Sequence, residues 1–378
     1  MGTPAPFLDQ LRERATGVPV TGILVVANLV VFAAMLVAGA GLWHGSNAIQ
    51  LAWGANFGPA TKDGEWWRLF TAMFLHFGLL HLAINMAALV EAGRFVERSL
   101  GSMRFLLLYV GGGLAGNLLS LAAQGDRGVS GGASGAVFAV FGALLAILWR
   151  ERTALDPREF RWLFIGAALL AGANIVLGSV VSGIDNAAHI GGFCFGVLAA
   201  IALDHGILTQ RSTAMPVRLL AAAVLTAGLA VLATHLPAPA YDWSDELAAR
   251  GEIGHFLGTD AALSSRWQDI FDAGRRQKMS FDELAARIDS EVAEPYGASF
   301  EQLVAVPLDP RAPSARTLAA LKRYAELRRD AAHDLAVGLR TGDAGRIEQA
   351  LTQAQAAKAL AQDLATPGKP DRPSQPPH

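Results

Sequence analysis

Two side chains that are far apart in the sequence have the types needed for a nucleophile and its base. Ser134 lies in the run Gly132-Ala133-Ser134-Gly135, at the start of an apolar segment that reaches Trp149. His189 lies near the start of another apolar segment, which spans about residues 186–202. An ionisable group inside a membrane segment is costly and usually has a function. We therefore predict that the serine hydroxyl and the imidazole meet and form a catalytic pair for acyl transfer.

Each of these residues also has a simpler interpretation. Small residues such as Ser134 and its glycine neighbours are common where membrane helices touch, and a lone histidine can be satisfied by a carbonyl. The run is not the Gly-x-Ser-x-Gly elbow of soluble hydrolases, because Ala136 takes the last position and no strand is expected before it. The glycine-rich run 128–133 nevertheless predicts a loop. Ser134 would then lie in the first turn of its helix, where free backbone N–H groups can stabilise an oxyanion.

Other polar residues could complete such a site. His81 and Asn85 are four positions apart, so they share one face of a helix and could both donate hydrogen bonds to a developing negative charge. His76 lies five positions before His81, which predicts another side of the same helix and a structural role. A metal site is the competing interpretation, but no His-Glu-x-x-His is present. We expect neither a metal nor another cofactor.

Two further features would bring the catalytic pair together. Gly192 and Gly196 follow His189 by three and seven positions, so the three residues form one stripe that allows close helix packing. Phe138 follows Ser134 by four positions and could stack on the imidazole.

Composition predicts where these helices lie. The chain has 378 residues, of which 52% are hydrophobic and 17% charged, against about 25% charged in soluble domains. Residues 1–236 hold 12 acidic and 14 basic side chains, and residues 237–378 hold 21 and 17. This shift predicts a membrane domain followed by a polar domain. A net charge of −2 argues against a nucleic-acid partner.

Seven apolar segments are long enough to cross a bilayer, which takes about 20 residues. They span residues 20–41, 69–90, 105–123, 132–149, 162–182, 186–203 and 219–236. A signal peptide is the alternative for the first segment, although it is longer than the usual signal core. Gly111, Gly112, Gly113 and Gly116 in the third segment predict a face for close helix packing.

Arginine and lysine predict the orientation, since they favour cytoplasmic loops. With a cytoplasmic N-terminus, eleven basic residues lie inside and three lie outside. Ser134 and His189 then lie at the outer ends of their helices, and the C-terminal domain is extracytoplasmic. The three outside residues are Lys62, Arg68 and Arg127. The short loops favour a bacterial plasma membrane.

The region after residue 237 predicts a helical domain without a catalytic constellation, which could bind a protein partner. Ser280 is positioned to cap a helix ahead of Glu283, and Gly342-Asp343 predicts a turn between two long helices. The expected domains are a cytoplasmic segment 1–18, a catalytic membrane domain 19–205, a loop and seventh helix 206–236, a helical domain 237–365 and a disordered Pro-rich tail 366–378.

These motifs together resemble the rhomboid family of intramembrane serine proteases. The resemblance covers about residues 18–205 and includes Trp67-Arg68, the His76/His81/Asn85 set, Gly-Ala-Ser-Gly and Ala188-His189-Ile190-Gly191-Gly192. It implies an all-α, polytopic fold with a six-helix rhomboid-like bundle, to which this chain adds a seventh transmembrane helix and a C-terminal helical domain. The implied substrates are single-span membrane proteins, cut near the outer end of the span.

The resemblance also implies a role for each matching residue. Ser134 would be the nucleophile and His189 the general base. His81, Asn85 and the Ser134 backbone N–H would bind the oxyanion. A supporting role is implied for Phe138, which would hold the imidazole. Trp67 and Arg68 would steady the first loop. The same motifs include the glycines Gly132, Gly135 and Gly192. The loop 183–188 would act as a lid.

Two functions from other classes remain open. A proteolytically inactive rhomboid-like protein would bind membrane clients without cutting them, although such proteins usually lack the serine or the histidine. A channel or transporter would also need several spans, but no paired repeat halves or buried carboxylate relay are recognised.

Overall fold

The structure is a computed structural model of the chain and describes residues 9, 11, 13, 17–181, 183–204, 212–277 and 279–365. Residue contacts divide the chain into two compact units, Met1–Pro239 and Ala240–His378. Most of the predicted cytoplasmic segment 1–18, the start of the predicted loop at 206–211 and the predicted tail 366–378 lie outside the described residues.

The first unit consists of helices and one pair of short antiparallel strands that are far apart in the sequence. Its elements are α1 (Pro19–Val37), α2 (Asn47–Ala52), β1 (Asn56–Phe57), α3 (Gly58–Lys62), α4 (Arg68–Thr71), α5 (Leu79–Leu100), α6 (Ser102–Gln124), β2 (Val129–Ser130), α7 (Ser134–Glu151), α8 (Pro157–Val180), α9 (Asn186–Ala202) and α10 (Met215–Thr234). Within the described residues, α1, α5, α6, α7, α8 and α10 are long and apolar enough to cross a membrane. The predicted all-α polytopic membrane fold is confirmed. The helix that carries His189, α9, is shorter, at 17 residues.

The second predicted segment, 69–90, is broken in two. Residues 68–74 form α4 and a short 3-10 turn, and α5 begins only at Leu79. The break lies where the turn pairs with the first loop, which we define as residues 38–67 and which includes α2, β1 and α3. Gly45 N–H donates to the Phe77 carbonyl at 2.7 Å, and Leu79 N–H donates to the Leu42 carbonyl at 2.8 Å. His76 therefore lies in the turn before α5, and its predicted place on the same helix as His81 is wrong. At its other end α5 continues to Leu100, so Arg94 and Arg98 lie on helix rather than in a loop.

Close backbone packing holds the centre of the first unit. Most residues of helix α7 are buried, and α6 and α9 lie against it. A Cβ on Gly116 of α6 would lie 2.6 Å from the Ala188 carbonyl oxygen and 3.4 Å from the Gly135 Cα. The predicted glycine face of α6 is therefore confirmed as a packing face.

A buried carboxylate joins three helices at the end of α5 far from His81. Glu97 accepts hydrogen bonds from the backbone N–H groups of Val20 and Thr21 at 3.0 and 2.8 Å, and from the Thr21 hydroxyl at 2.7 Å. The Ser102 hydroxyl donates at 2.6 Å to Oε1, the oxygen that also accepts the Val20 N–H, whereas Thr21 donates to Oε2. Glu97 thus satisfies free N–H groups at the start of α1 and fixes that helix beside α5 and α6.

The second unit is a bundle of helices around its own apolar core. Its elements are α11 (Trp243–Gln277), α12 (Phe281–Ile288), a π turn (Asp289–Ala293), α13 (Glu294–Ala305), α14 (Ala315–Thr341) and α15 (Ala344–Ala365). The expected short helical stretches over 244–293 are wrong in their first part, where α11 continues for 35 residues. The Ser280 cap is confirmed as a capping box with Glu283, and Gly342 ends α14 with a left-handed φ of 68°.

Candidate active site

Ser134 is the first residue of α7, and the segment before it is fixed on both sides. Residues Val129 and Ser130 pair in antiparallel register with Phe57 and Asn56 of the first loop. A short strand therefore does precede Ser134, which corrects the expectation from the sequence. Because the strand is only two residues long and pairs with a distant loop, periodicity could not reveal it. Ser134 and the next residues begin the helix, so their N–H groups have no carbonyl partner within it.

Gly132 has two reasons to be glycine. Its φ of 147° lies in a region that side chains rarely adopt, and a Cβ here would lie 2.8 Å from the His81 ring. Its N–H donates to the Ala72 carbonyl at 2.8 Å. The loop before Ser134 is therefore placed directly against the imidazole of His81.

His189 lies in the first turn of α9, and its ring stacks on Phe138. The two ring centroids are 4.2 Å apart and the ring planes differ by 8°. A Cβ on Gly192 would collide with the Gly135 carbonyl, so the missing side chain lets α9 approach the start of α7. Stacking at a position one helical turn after Ser134 places the imidazole over the serine end of α7.

Ser134 and His189 line the same cavity, which has a volume of about 2460 Å³. No hydrogen bond joins the Ser134 hydroxyl to the His189 ring among the described residues, and the buried Nδ1 of His189 has no hydrogen-bond partner there. Catalytic hydrogen bonds are often long in unliganded enzymes and tighten when substrate binds. The arrangement therefore provides a serine, a histidine held by stacking, and space beside both.

His81 and Asn85 also line this cavity, on adjacent turns of α5. The Asn85 side chain donates to the His81 carbonyl at 2.9 Å, which leaves its second amide N–H for another acceptor. His76 is buried, and its ring meets the His81 ring edge-on with centroids 5.0 Å apart. The His76 carbonyl accepts a hydrogen bond from the Gln50 side chain at 3.0 Å. His76 thus supports His81 from the side and links it to the first loop.

Trp67 ends the first loop as the N-cap of α4, and Arg68 is the first residue of α4. The Arg68 guanidinium is buried and donates to the Leu51 and Ala55 carbonyls at 2.7 and 3.2 Å. It also pairs with Glu65 and lies 4.7 Å above the Trp67 ring. These contacts fold the loop onto itself, beside the strand that pairs with the segment before Ser134.

Asp185 is a functional candidate that sequence reasoning missed. One carboxylate oxygen accepts hydrogen bonds from the hydroxyls of Ser120 and Ser130 at 2.5 and 2.6 Å. The other accepts the Ala188 N–H at 3.0 Å, and the Asp185 carbonyl accepts the His189 N–H at 3.1 Å. Asp185 therefore joins the start of the histidine helix to the strand before Ser134. An Asp before an apolar segment suggests a helix cap, but its two serine partners could not be read from spacing.

The loop that we expected over residues 183–188 as a lid ends before residue 186. Helix α9 begins at Asn186, and the Asp185 side chain caps it by accepting the Ala188 N–H.

Among the described residues, no group of three or more His, Cys, Asp or Glu side chains lies together as metal ligands.

Comparison with known proteins gives the same family as the motifs. The Rhomboid domain family matches residues 63–205. The rhomboid protease GluP of Bacillus subtilis is 40% identical over 179 residues, which are 47% of this chain and 33% of GluP. The rhomboid protein YdcA of the same organism is 39% identical over 146 residues, which are 38% of this chain and 70% of YdcA. The chain belongs to the rhomboid family.

Rhomboid relatives also occur outside bacteria. RHOMBOID-like protein 4 of Arabidopsis thaliana is 35% identical over 171 residues, which are 44% of this chain and 42% of that protein. The chain spans between a third and about two fifths of the length of GluP and RHOMBOID-like protein 4. This rhomboid chain is a multi-pass membrane protein of an intramembrane protease family, and its matched region includes all the residues of the candidate site.

Proposed function

We propose that this rhomboid protein is an active serine endopeptidase that cuts transmembrane segments of single-span membrane proteins. The observation that carries the proposal is the His189 ring stacked on Phe138, one turn from Ser134, in a cavity that both catalytic candidates line. A histidine held in this way needs no aspartate beside its ring.

The proposed reaction begins when the Ser134 Oγ attacks the carbonyl carbon of the scissile peptide and His189 accepts the hydroxyl proton. The negative charge that develops on the carbonyl oxygen is stabilised by the Ser134 N–H and by donors from His81 and Asn85. His189 then gives the proton to the leaving amine, which breaks the C–N bond. A water molecule, deprotonated by the same histidine, hydrolyses the acyl-enzyme and restores Ser134.

Cleavage of a reporter tests this proposal. The protein is reconstituted in vesicles with a single-span reporter, and the cleaved fragment is measured. We expect Ser134→Ala and His189→Ala to abolish cleavage while both variants accumulate at normal levels. Ser99→Ala in α5 and His235→Ala at the end of α10 are matched controls, because these residues lie away from the cavity lining. Full cleavage by either catalytic variant would contradict the proposal.

A protein that only binds membrane clients would give a different result. Single-span proteins would then co-purify equally with wild type and Ser134→Ala, and no cleaved fragment would form with either.

The proposed orientation has the N-terminus in the cytoplasm and Ser134 near the outer face of a bacterial plasma membrane. Its support is the charge bias between the loops and the position of Ser134 and His189 at the starts of their helices. The second unit would then be extracytoplasmic, and residues 237–365 would bind a protein partner. Protease added to intact spheroplasts should remove this unit and leave the membrane helices; full protection of the unit would contradict the orientation.

A further inference from the structure

The two helices that carry the catalytic candidates run side by side in the same direction. A Cβ on Gly192 of α9 would collide with the Gly135 carbonyl of α7. One turn further along each helix, a Cβ on Gly196 would collide with the Ala139 carbonyl. The pairing therefore keeps one register from the site toward the other end of both helices. Close contacts of this kind set the separation of the two helices.

An ion pair joins the same two helices at the end far from the site. The Arg150 guanidinium, in the last turn of α7, pairs with the carboxylate of Asp204, which lies two residues beyond the end of α9. Asp204 follows Arg150 by 54 positions. His189 follows Ser134 by 55 positions, so the ion pair and the catalytic candidates share nearly the same register. Arg150 is 16 residues after Ser134, which is about 24 Å along the helix.

The charges at this end explain why the contact needs a cation. Parallel helices bring their C-terminal ends together, and each end carries a partial negative charge. The carboxylates of Asp204 and Glu151 add two formal charges there, and both residues are buried. Arg150 pairs with both carboxylates. One guanidinium thus replaces repulsion between the two helix ends by attraction.

Asp204 is also held from the side of α10, the seventh predicted segment. Its second carboxylate oxygen accepts the Thr213 N–H at 2.5 Å, just before α10 begins. From α10, the Arg218 side chain donates to the Ala202 carbonyl at the end of α9 at 3.1 Å. The Asp204 carboxylate therefore has one oxygen for α7 and one for the segment that leads into α10, and these two contacts fix its orientation.

We infer that Asp204 is a positioning residue for the proposed reaction: through Arg150 it sets how far the histidine helix lies along the serine helix. The inference rests on the proposed function, since it concerns the reaction of Ser134 with His189. Helix α9 has only 17 residues, so a shift at its Asp204 end is carried to the imidazole at its other end. A misplacement of about 1 Å can cost about 100-fold in rate. Because the glycine contacts remain, we expect a smaller loss when the ion pair alone is broken.

Asp204→Asn tests this inference in the reconstituted full chain. The amide keeps an acceptor oxygen for the Thr213 N–H, but it has no charge to pair with Arg150. Arg150 keeps its pair with Glu151, so no buried guanidinium is left alone and the variant should fold. We expect kcat for reporter cleavage to fall about tenfold, with KM within about twofold of wild type. Asp204→Glu, which keeps the charge, should recover most of the rate.

Glu97→Gln is the matched control. Glu97 is also a buried carboxylate far from the site, but its partners Val20, Thr21 and Ser102 lie on α1 and α6. Loss of this charge should lower the melting temperature of the full chain, as Asp204→Asn also should. Because the contact between α7 and α9 is kept, kcat should stay within about twofold of wild type.

A second readout does not depend on catalysis. The Phe138 ring stacks on the His189 ring and shields its nuclei, so the His189 ring resonance reports where α9 lies relative to α7. The full chain is labelled with 13C-histidine, and the resonance is identified by its loss in His189→Ala. We expect the resonance to move toward that of an unstacked histidine in Asp204→Asn and to stay in place in Glu97→Gln.

Two results would overturn the inference. One is an unchanged kcat or an unchanged His189 resonance in Asp204→Asn. The other is an equal loss of kcat in Asp204→Asn and Glu97→Gln, which would assign the effect to a general loss of stability. If wild type cuts no reporter, the proposed function fails, whereas the His189 resonance still tests whether Asp204 positions the imidazole.

Discussion

The two units of this chain pack their helices in different ways. In the first unit the closest contacts join backbone to backbone: a Cβ on Gly192, Gly196 or Gly142 would collide with a carbonyl of the neighbouring helix. In the second unit large rings fill the core, and Tyr324 meets Phe256 and Tyr296 edge-on with centroids 6.1 and 6.4 Å apart. Lipid gives no hydrophobic force between helices, so close van der Waals contact must replace it. In water the hydrophobic effect drives helices together, so burial of bulky side chains is enough to hold them.

The difference bears directly on the candidate site. Where the backbones of two helices are in contact, the helices have little room to shift, because backbone atoms cannot move out of the way as a flexible side chain can. Gly192 lies one turn after His189, and its partner Gly135 directly follows Ser134. The same contact that packs α9 against α7 therefore sets the distance between the two catalytic candidates.

The largest expected effect comes from filling this contact. Gly192→Ala places a methyl group against the Gly135 carbonyl, and α9 must move away from α7. Because a misplacement of about 1 Å can cost about 100-fold in rate, we expect reporter cleavage to fall by at least that factor. Gly172→Ala is the matched control, since a Cβ there meets no atom within 4 Å. Equal activity of both variants would show that the close contact does not position the site.

A smaller effect is expected at Asp185, which positions the site through side-chain hydrogen bonds. Asp185→Ala removes the acceptor for Ser120, Ser130 and the Ala188 N–H. We expect kcat to fall about tenfold with little change in KM, as when an interaction that orients the transition state is lost. Asp185→Asn keeps one acceptor oxygen and should recover part of the rate. A change in KM alone, or no recovery with Asn, would contradict a positioning role.

In the second unit the rings should make stability depend on alkaline pH. Burial raises the pKa of Tyr296, whose hydroxyl donates to Asp260 at 2.7 Å. A folded pKa above the unfolded value of about 10 means that stability is full below about pH 10 and is lost as pH rises further. The protection factors of the amides in α13 and α14 of the full chain, which correct the exchange rates for base catalysis, should therefore fall above that pH. In Tyr296→Phe, amide protection in α13 and α14 should depend less on pH. If that pH dependence were the same as in wild type, groups other than Tyr296 would be responsible for it.

The smallest expected effect concerns the cap of α12. Ser280 accepts the Glu283 N–H, and the Glu283 carboxylate accepts the Ser280 N–H at 3.0 Å. Ser280→Ala should destabilise α12 by about 1 kcal/mol, measured as faster hydrogen exchange in that helix alone. Ser290→Ala is the control, because this hydroxyl only donates to the Ala286 carbonyl one turn earlier. Faster exchange across both units would contradict a local effect.

Sequence reasoning predicted the features that depend on residue type and spacing. The apolar segments, the glycine face of α6, the Ser280 cap and the turn at Gly342 all follow from local chemistry. The break before α5 did not, because it depends on hydrogen bonds from the first loop to Phe77 and Leu79. The extent of α11 did not either, since its polar sequence carries a weak periodic signal.

In the candidate site, too, local features could be predicted from the sequence and contacts between elements could not. The stacking of Phe138 on His189 was predicted from a four-residue spacing together with the glycines of α9, and the structure contains it. The contact of His76 with His81 and the links from Asp185 to Ser120 and Ser130 join residues on different elements. Such contacts have no signature in a single sequence, because they depend on how the loops fold onto the helices.

The most direct test of the central claim is the reaction of Ser134 with a fluorophosphonate probe. The probe forms a covalent adduct only with a serine that is activated as a nucleophile. The account predicts one adduct, mapped by mass spectrometry to Ser134 in the reconstituted full chain, and its loss in His189→Ala. An adduct on another serine, or undiminished labelling of Ser134 without His189, would contradict it.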